Sequence, residues 1–253
     1  MNAYFLTINL GSIFGSFLLL FFYWQKSRSW KKTIVVYLIS LTALELGSFF
    51  GRLVRGLSYG TKEPVWELLT KEQGTHFIGR VIFVLLFFPL AYRLIYRTRS
   101  REWIAYLDLL CIFLAFQHMF NRMACLFEGC CMGKFYRGPF AFKYPWGRGT
   151  GAGYSYSVYP TQLFEAVCML VLFLALLYLH KRSKRLLFVF CICFSTVIFI
   201  SEFMMEGIGT IRVMGCSVIQ YAAVLLMGMT GIFAVAEKYE SQKKKERRSY
   251  EKQ

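Results

Sequence analysis

Charge is what this chain has little of. Charged residues fill 17% of its 253 positions, against 57% hydrophobic and 19% aromatic. A soluble domain carries roughly a quarter charged residues and could not hide this much apolar surface from water. Acids are the scarcer sign, 14 Asp and Glu against 30 Lys and Arg, for a net charge of +16. Such an excess raises the question of nucleic acid. No soluble binding domain is left to carry that function, and the basic residues hug the ends of apolar runs, so the excess reads as membrane topology. The first apolar run lacks a basic leader and a small-residue cleavage site, and it is too long for a signal peptide, so it is read as a span. No internal repeat is visible.

What the chain does have is seven apolar runs, each near the roughly 20 residues needed to cross a bilayer. They cover Asn2–Trp24, Thr33–Phe50, His76–Tyr96, Ile104–Ala124, Tyr159–Leu179, Leu186–Met205 and Val213–Ala236. Basic clusters follow the first, third, fifth and seventh: Lys26/Arg28/Lys31/Lys32, Arg93/Arg97/Arg99/Arg101, Lys181/Arg182/Lys184/Arg185, and a tail from Lys238 through Lys252. All four fall on one face, which the positive-inside rule makes cytoplasmic. The expectation is an all-α polytopic membrane protein of seven transmembrane helices, N-terminus outside and C-terminus cytoplasmic, in the plasma membrane. One membrane domain spans 1–237, and a basic tail spans 238–253. Among the outer connections, Gly51–Thr75 predicts a short interfacial helix around Val65–Lys71. Gly133–Val158, rich in Gly, Tyr, Phe and Pro, predicts a lid or collar in the headgroup layer.

Polar residues within the apolar runs gather toward the outer half. Arg122 is the most telling, since an arginine at a bilayer centre costs roughly 2.5–3.5 kcal/mol and so faces a polar interior. His118 lies four residues before it, on one helix face, and Asn121 and Glu128 are near in sequence. Two readings stand side by side. Either Glu128 or Glu202 neutralises Arg122 in a structural network, or the guanidinium clamps a phosphate or carboxylate. His76 and Arg80 form a second pair four apart. Tyr159-Pro160-Thr161-Gln162 has the grammar of a helix start, with Pro near the first turn and a capping side chain. Gln162 and Glu165 share a face that points inward. Glu45 and Glu202 are further acids at membrane depth, whereas Asp108 reads as a solvated end residue. Among the cysteines, Cys111, Cys168, Cys191 and Cys193 read as small buried hydrophobes. Cys125, Cys130 and Cys131 lie near the outer face, where a disulfide is open to them. Cys-x4-Cys-Cys is a poor zinc spacing and no His or Cys follows nearby, so neither metal nor cofactor is expected.

The run Asn121-Arg122-x-x-Cys125-Leu126-x-x-Gly129-Cys130-Cys131-x-Gly133, followed by Tyr159-Pro160-Thr161-Gln162-Leu163-Phe164-Glu165, resembles the prolipoprotein diacylglyceryl transferase family. The resemblance extends from about His76 to the last span. It implies a bacterial enzyme that moves diacylglycerol from phosphatidylglycerol to the lipobox cysteine thiol of a prolipoprotein, releasing glycerol phosphate. Carried onto this chain, Arg122 matches the signature arginine, His76 the histidine of the third helix and Glu202 the acid of the sixth. Those three are the catalytic candidates. Arg80, Asn121, Glu128, Gly129, Gly133, Gln162 and Glu165 are the substrate-binding candidates, with Gly129 and Gly133 on the signature glycines. The chain also departs from the pattern. Cys125 stands at the signature asparagine, Cys130 at the signature glutamate, and Ile198 at a second arginine, which Arg80 or Arg212 would have to replace. Two other readings remain open. One is an altered family member that binds anionic phospholipid or modifies another acceptor. The other is a small-molecule transporter, against which stands the lack of an inverted repeat or paired broken helices.

Overall fold

The computed structural model describes residues 3–60, 64, 66–67, 75–98, 100–144, 156–182, 185–206 and 210–250. Among these, seven helices are long and apolar enough to cross a membrane. They are α1 (Ala3–Ser27), α2 (Trp30–Tyr59), α3 (Phe77–Tyr96), α4 (Glu102–Glu128), α5 (Thr161–His180), α6 (Leu186–Met204) and α7 (Val218–Tyr250). A two-stranded antiparallel hairpin, β1 (Arg212–Val213) and β2 (Cys216–Ser217), precedes α7. Each predicted span has its helix. Two run longer than expected: α2 continues through Arg52 and Arg55 to Tyr59, and α7 continues through the basic tail to Tyr250. The seventh begins five residues late because the hairpin takes the residues before Val218. The interfacial helix predicted around Val65–Lys71 lies mostly outside the described residues.

The apolar surface is divided between lipid and core. Phe14, Phe17 and Phe21 of α1 are more than half exposed, as side chains facing acyl tails must be. α4 is the hub, with 67% of its apolar window buried against 17% for α1, and it packs on α1, α3, α5 and α6. Between lipid-bathed helices, small residues permit close backbone approach. α2 and α3 meet in this way: a Cβ added to Gly51 would lie 2.7 Å from the His76 carbonyl oxygen, and one added to Gly79 would lie 2.9 Å from Gly51 Cα. The contact fixes the start of α3 against the middle of α2.

At the inner end, Lys32 Nζ reaches Glu102 Oε2 at 2.7 Å, and the Tyr92 hydroxyl donates to the same oxygen at 3.1 Å. Asp108 corrects an expectation here. It is buried, and its Oδ1 accepts the Leu187 backbone N–H at 2.7 Å. It thus supplies an acceptor to the first turn of α6, whose N–H groups have no intrahelical partner.

Candidate active site at the outer end of α4

Gly129 ends α4. It adopts the left-handed conformation, φ 69°, and its N–H returns to the Cys125 and Leu126 carbonyls. The chain then turns through Cys130 and Cys131, the latter also left-handed at φ 58°. Gly133 follows, pressed so tightly on Tyr159 that a Cβ would collide with its carbonyl oxygen and its Cβ. Backbone hydrogen bonds sew the ends of three helices together there. Gly133 N–H donates to Tyr159 O at 3.2 Å, Tyr159 N–H to Lys134 O at 3.1 Å, Lys134 N–H to Met204 O at 2.8 Å, and Glu206 N–H to Met132 O at 3.2 Å. Tyr136 stacks on Tyr159 with centroids 3.8 Å apart. The predicted collar is thus ordered at both its ends, while residues 145–155 lie outside the described residues.

The start of α5 departs from the expected cap. Pro160 occupies the N-cap and makes no side-chain capping bond. The polar side chains beyond it reach across to α4's exit instead. The Thr161 hydroxyl donates to Cys131 O at 2.8 Å, the Gln162 amide donates to Cys130 O, and the Tyr144 hydroxyl donates to Gln162 Oε1 at 2.7 Å. Gln162 and Glu165 are fully buried on the inward face, as their spacing predicted.

Arg122 finds its counter-charge one helix away. Its Nε lies 2.7 Å from Glu165 Oε2, with side-chain exposures of 16% and 0%. His118 Nε2 lies 3.1 Å from the same oxygen. The neutralising acid is therefore Glu165, neither Glu128 nor Glu202. His118 is boxed between Phe77, 4.5 Å between ring centroids, and Phe194, 5.4 Å. Its importance was visible in the sequence as the i, i+4 relation to Arg122, but no motif singled it out. A guanidinium oriented at its Nε by a buried carboxylate can turn its outer edge to an anion.

His76 caps α3, and its backbone N–H donates to Gly51 O at 3.2 Å. The ring stacks against Tyr59, and its shielded Nε2 has no hydrogen-bond partner among the described residues. Burial pushes its pKa down to about 4, with the Arg122 charge helping. The ring is therefore neutral at physiological pH.

The remaining candidates divide. Glu202 accepts from the Ser217 hydroxyl at 2.7 Å, so it ties α6 to the hairpin. It lies within electrostatic reach of Arg122 and Glu165 but pairs with neither. Arg80 turns toward α2, where Nη2 donates to Ser48 Oγ at 2.6 Å, and Arg212 is exposed on the hairpin. Among the described residues, neither shares a hydrogen-bond or ion-pair partner with Arg122. Ile198 is packed in the core, so the position where the resemblance implied a second arginine is apolar. Asn121 and Glu128 are half-buried near the end of α4, outside the Arg122–Glu165–His118 chain.

One feature ran against the sequence spacing. The sulfurs of Cys125, Cys130 and Cys131 lie within 4.8 Å of one another, all as free thiols. Cys125 and Cys131 lie within electrostatic reach of Arg122. Hydrogen bonds from the Cys125 and Cys130 thiols hold the Cys131 thiol pKa well below its ordinary value. A four-residue gap looks wrong for a shared site only if the helix continues. Here it ends at Glu128, and the turn folds Cys130 N–H back onto Cys125 O at 3.2 Å.

No curated protein matches the chain in a sequence comparison. The family model for prolipoprotein diacylglyceryl transferase matches residues 1–236, which takes in α1 and α2 as well as the motifs from His76 onward. With seven membrane-length helices and a family match over residues 1–236, the chain belongs to the prolipoprotein diacylglyceryl transferase family.

Proposed function

We propose that this protein transfers the diacylglyceryl group of phosphatidylglycerol to the thiol of a lipobox cysteine in a prolipoprotein. The observation that carries the reading is the Arg122–Glu165 pair, an oriented and nearly buried guanidinium at the end of the bundle where α3, α4 and α5 converge. In this reading the lipid phosphate docks on the outer fork of Arg122. The acceptor thiol gives up its proton, because the thiolate is the nucleophile. Its sulfur forms a bond to the glyceryl carbon, the bond from that carbon to the phosphate oxygen breaks, and glycerol phosphate leaves with the electron pair. Arg122 stabilises the charge on the departing phosphate. His76, within electrostatic reach of Cys131, accepts the proton. Glu165 and His118 hold Arg122 in place, Gln162 fixes the turn, and Glu202 ties α6 to the hairpin.

A second reading, a family member with a different acceptor, draws on the same turn. Cys125 and Cys130 stand where the family has an asparagine and a glutamate, and Ile198 where it has a second arginine. Complementation separates the two. The chain is expressed in cells depleted of their own transferase, and modified prolipoprotein is followed beside Arg122→Ala and His76→Ala. Restored modification by the parent and its loss in both variants is expected. A well-inserted parent that modifies no prolipoprotein would reject the reaction, and full activity of Arg122→Ala would reject the site.

A further inference from the structure

We propose that Cys125, Cys130 and Cys131 bind one zinc ion, with the fourth coordination position left open for the acceptor thiol. Three sulfurs within 4.8 Å of one another need only small side-chain rotations to ligate a common ion. Zn–S bonds of about 2.3 Å in a tetrahedron place the sulfurs about 3.8 Å apart. Three protein ligands with one open position is the pattern of reactive zinc sites, whereas structural sites close all four.

The backbone around the cluster is built to hold it. Cys130 N–H bonds to Cys125 O, Gln162 anchors the Cys130 carbonyl, and Thr161 anchors the Cys131 carbonyl. Cys131 sits in a left-handed conformation that few non-glycine residues adopt, φ 58°. Such strain is kept where the surroundings enforce it, commonly at functional sites. As a residue Cys131 is exposed, while Cys125 and Cys130 are half-buried. Charge is compatible as well. Three thiolates around a divalent ion carry a net negative charge, and Arg122 stands within reach of Cys125 and Cys131 to offset it.

The role in catalysis rests on the transferase reading, but the site itself does not. Bound to zinc, an acceptor thiol is deprotonated at neutral pH and stays nucleophilic. Its proton passes to His76 or water, its lone pair forms the new C–S bond, and the C–O bond to phosphate breaks toward oxygen. The ion keeps its oxidation state throughout. The cysteines at the two departures from the family pattern thus gain a chemical role, activating the thiol that the missing polar partners no longer assist.

The test uses the full chain purified in detergent. Zinc content of one ion per chain is expected, together with thiolate-to-metal charge-transfer absorption after exchange with Co2+. A lipobox-type peptide with its cysteine should intensify that absorption as a fourth thiolate binds, and the same peptide with serine should not. Cys130→Ser should lose the ion while eluting as the parent does, and Cys168→Ser, outside the cluster, should keep it. Absence of stoichiometric zinc together with absence of a Co2+ charge-transfer band in the parent overturns the site, as does a disulfide within the cluster in freshly isolated protein. A bound Co2+ that ignores the cysteine peptide overturns the open position. Zinc bound without prolipoprotein modification rejects the transferase reading alone.

Discussion

Two base–carboxylate pairs brace α4, one near each end. Lys32–Glu102 at the inner end and Arg122–Glu165 at the outer end have the same nitrogen-to-oxygen distance, 2.7 Å. The 20 positions between Glu102 and Arg122 correspond to about 30 Å of helix. Their surroundings differ completely. The inner side chains are 30% and 56% exposed, and the outer ones are 16% and 0%. Contact distance therefore says little about what an ion pair is worth, and burial decides it. A half-exposed pair is screened and dispensable, whereas a buried one leaves a stranded charge when either partner goes.

The largest effect should come from breaking the outer pair. Glu165→Ala would strand Arg122 and deprive His118 of its acceptor, a loss of about 3–5 kcal/mol, read as a lowered unfolding midpoint in detergent together with abolished lipoprotein modification. A midpoint equal to the parent's would mean the pair does not hold the outer end. Arg122→Lys keeps the charge but loses the planar fork, and activity should fall about 100-fold with little change in unfolding. If Lys serves as well as Arg, the phosphate is met by charge alone.

Smaller shifts sharpen the contrast. Gly133→Ala forces a methyl group into the Tyr159 carbonyl and should cost about 1–3 kcal/mol. An unchanged midpoint would show that the seam between α4 and α5 gives way freely. Protonation offers a gentler probe. Because the folded protein holds His76 near 4 against 6.5 when free, the unfolded chain binds the proton first, and stability should fall as pH drops from about 6.5 toward 4. His76→Asn should flatten that decline in unfolding curves taken across the window, and an unaltered slope would place the titration elsewhere. The inner pair should matter least. A double-mutant cycle of Lys32→Ala and Glu102→Ala should return a coupling of about 0–1 kcal/mol, and a value as large as the outer pair's would erase the distinction.

The helices were legible because a bilayer imposes length and hydropathy, and both are written locally. Arg122 and the inward face of Gln162 and Glu165 were legible for the same reason, since helical spacing alone decides which residues share a face. The choice of Glu165 over Glu128 or Glu202 as counter-charge was not, because it depends on how α4 and α5 rotate against each other. Asp108 misled for a related reason. Its sequence position is terminal, but a neighbouring helix start covers it. The cysteine cluster was hidden by a left-handed glycine, which brings together residues that a continuing helix would have kept apart. His118 could have been read from its place one turn before Arg122, had the i, i+4 relation been given the weight of a motif.

Gln162 carries one more implication. Its carbonyl takes the Tyr144 hydroxyl while its amide takes the Cys130 backbone, so one side chain checks the positions of a loop, a helix start and a helix end at once. The full set of contacts exists only when all three segments have arrived. A half-inserted chain would have its spans but no reactive centre, and it could not act on membrane lipid during its own assembly.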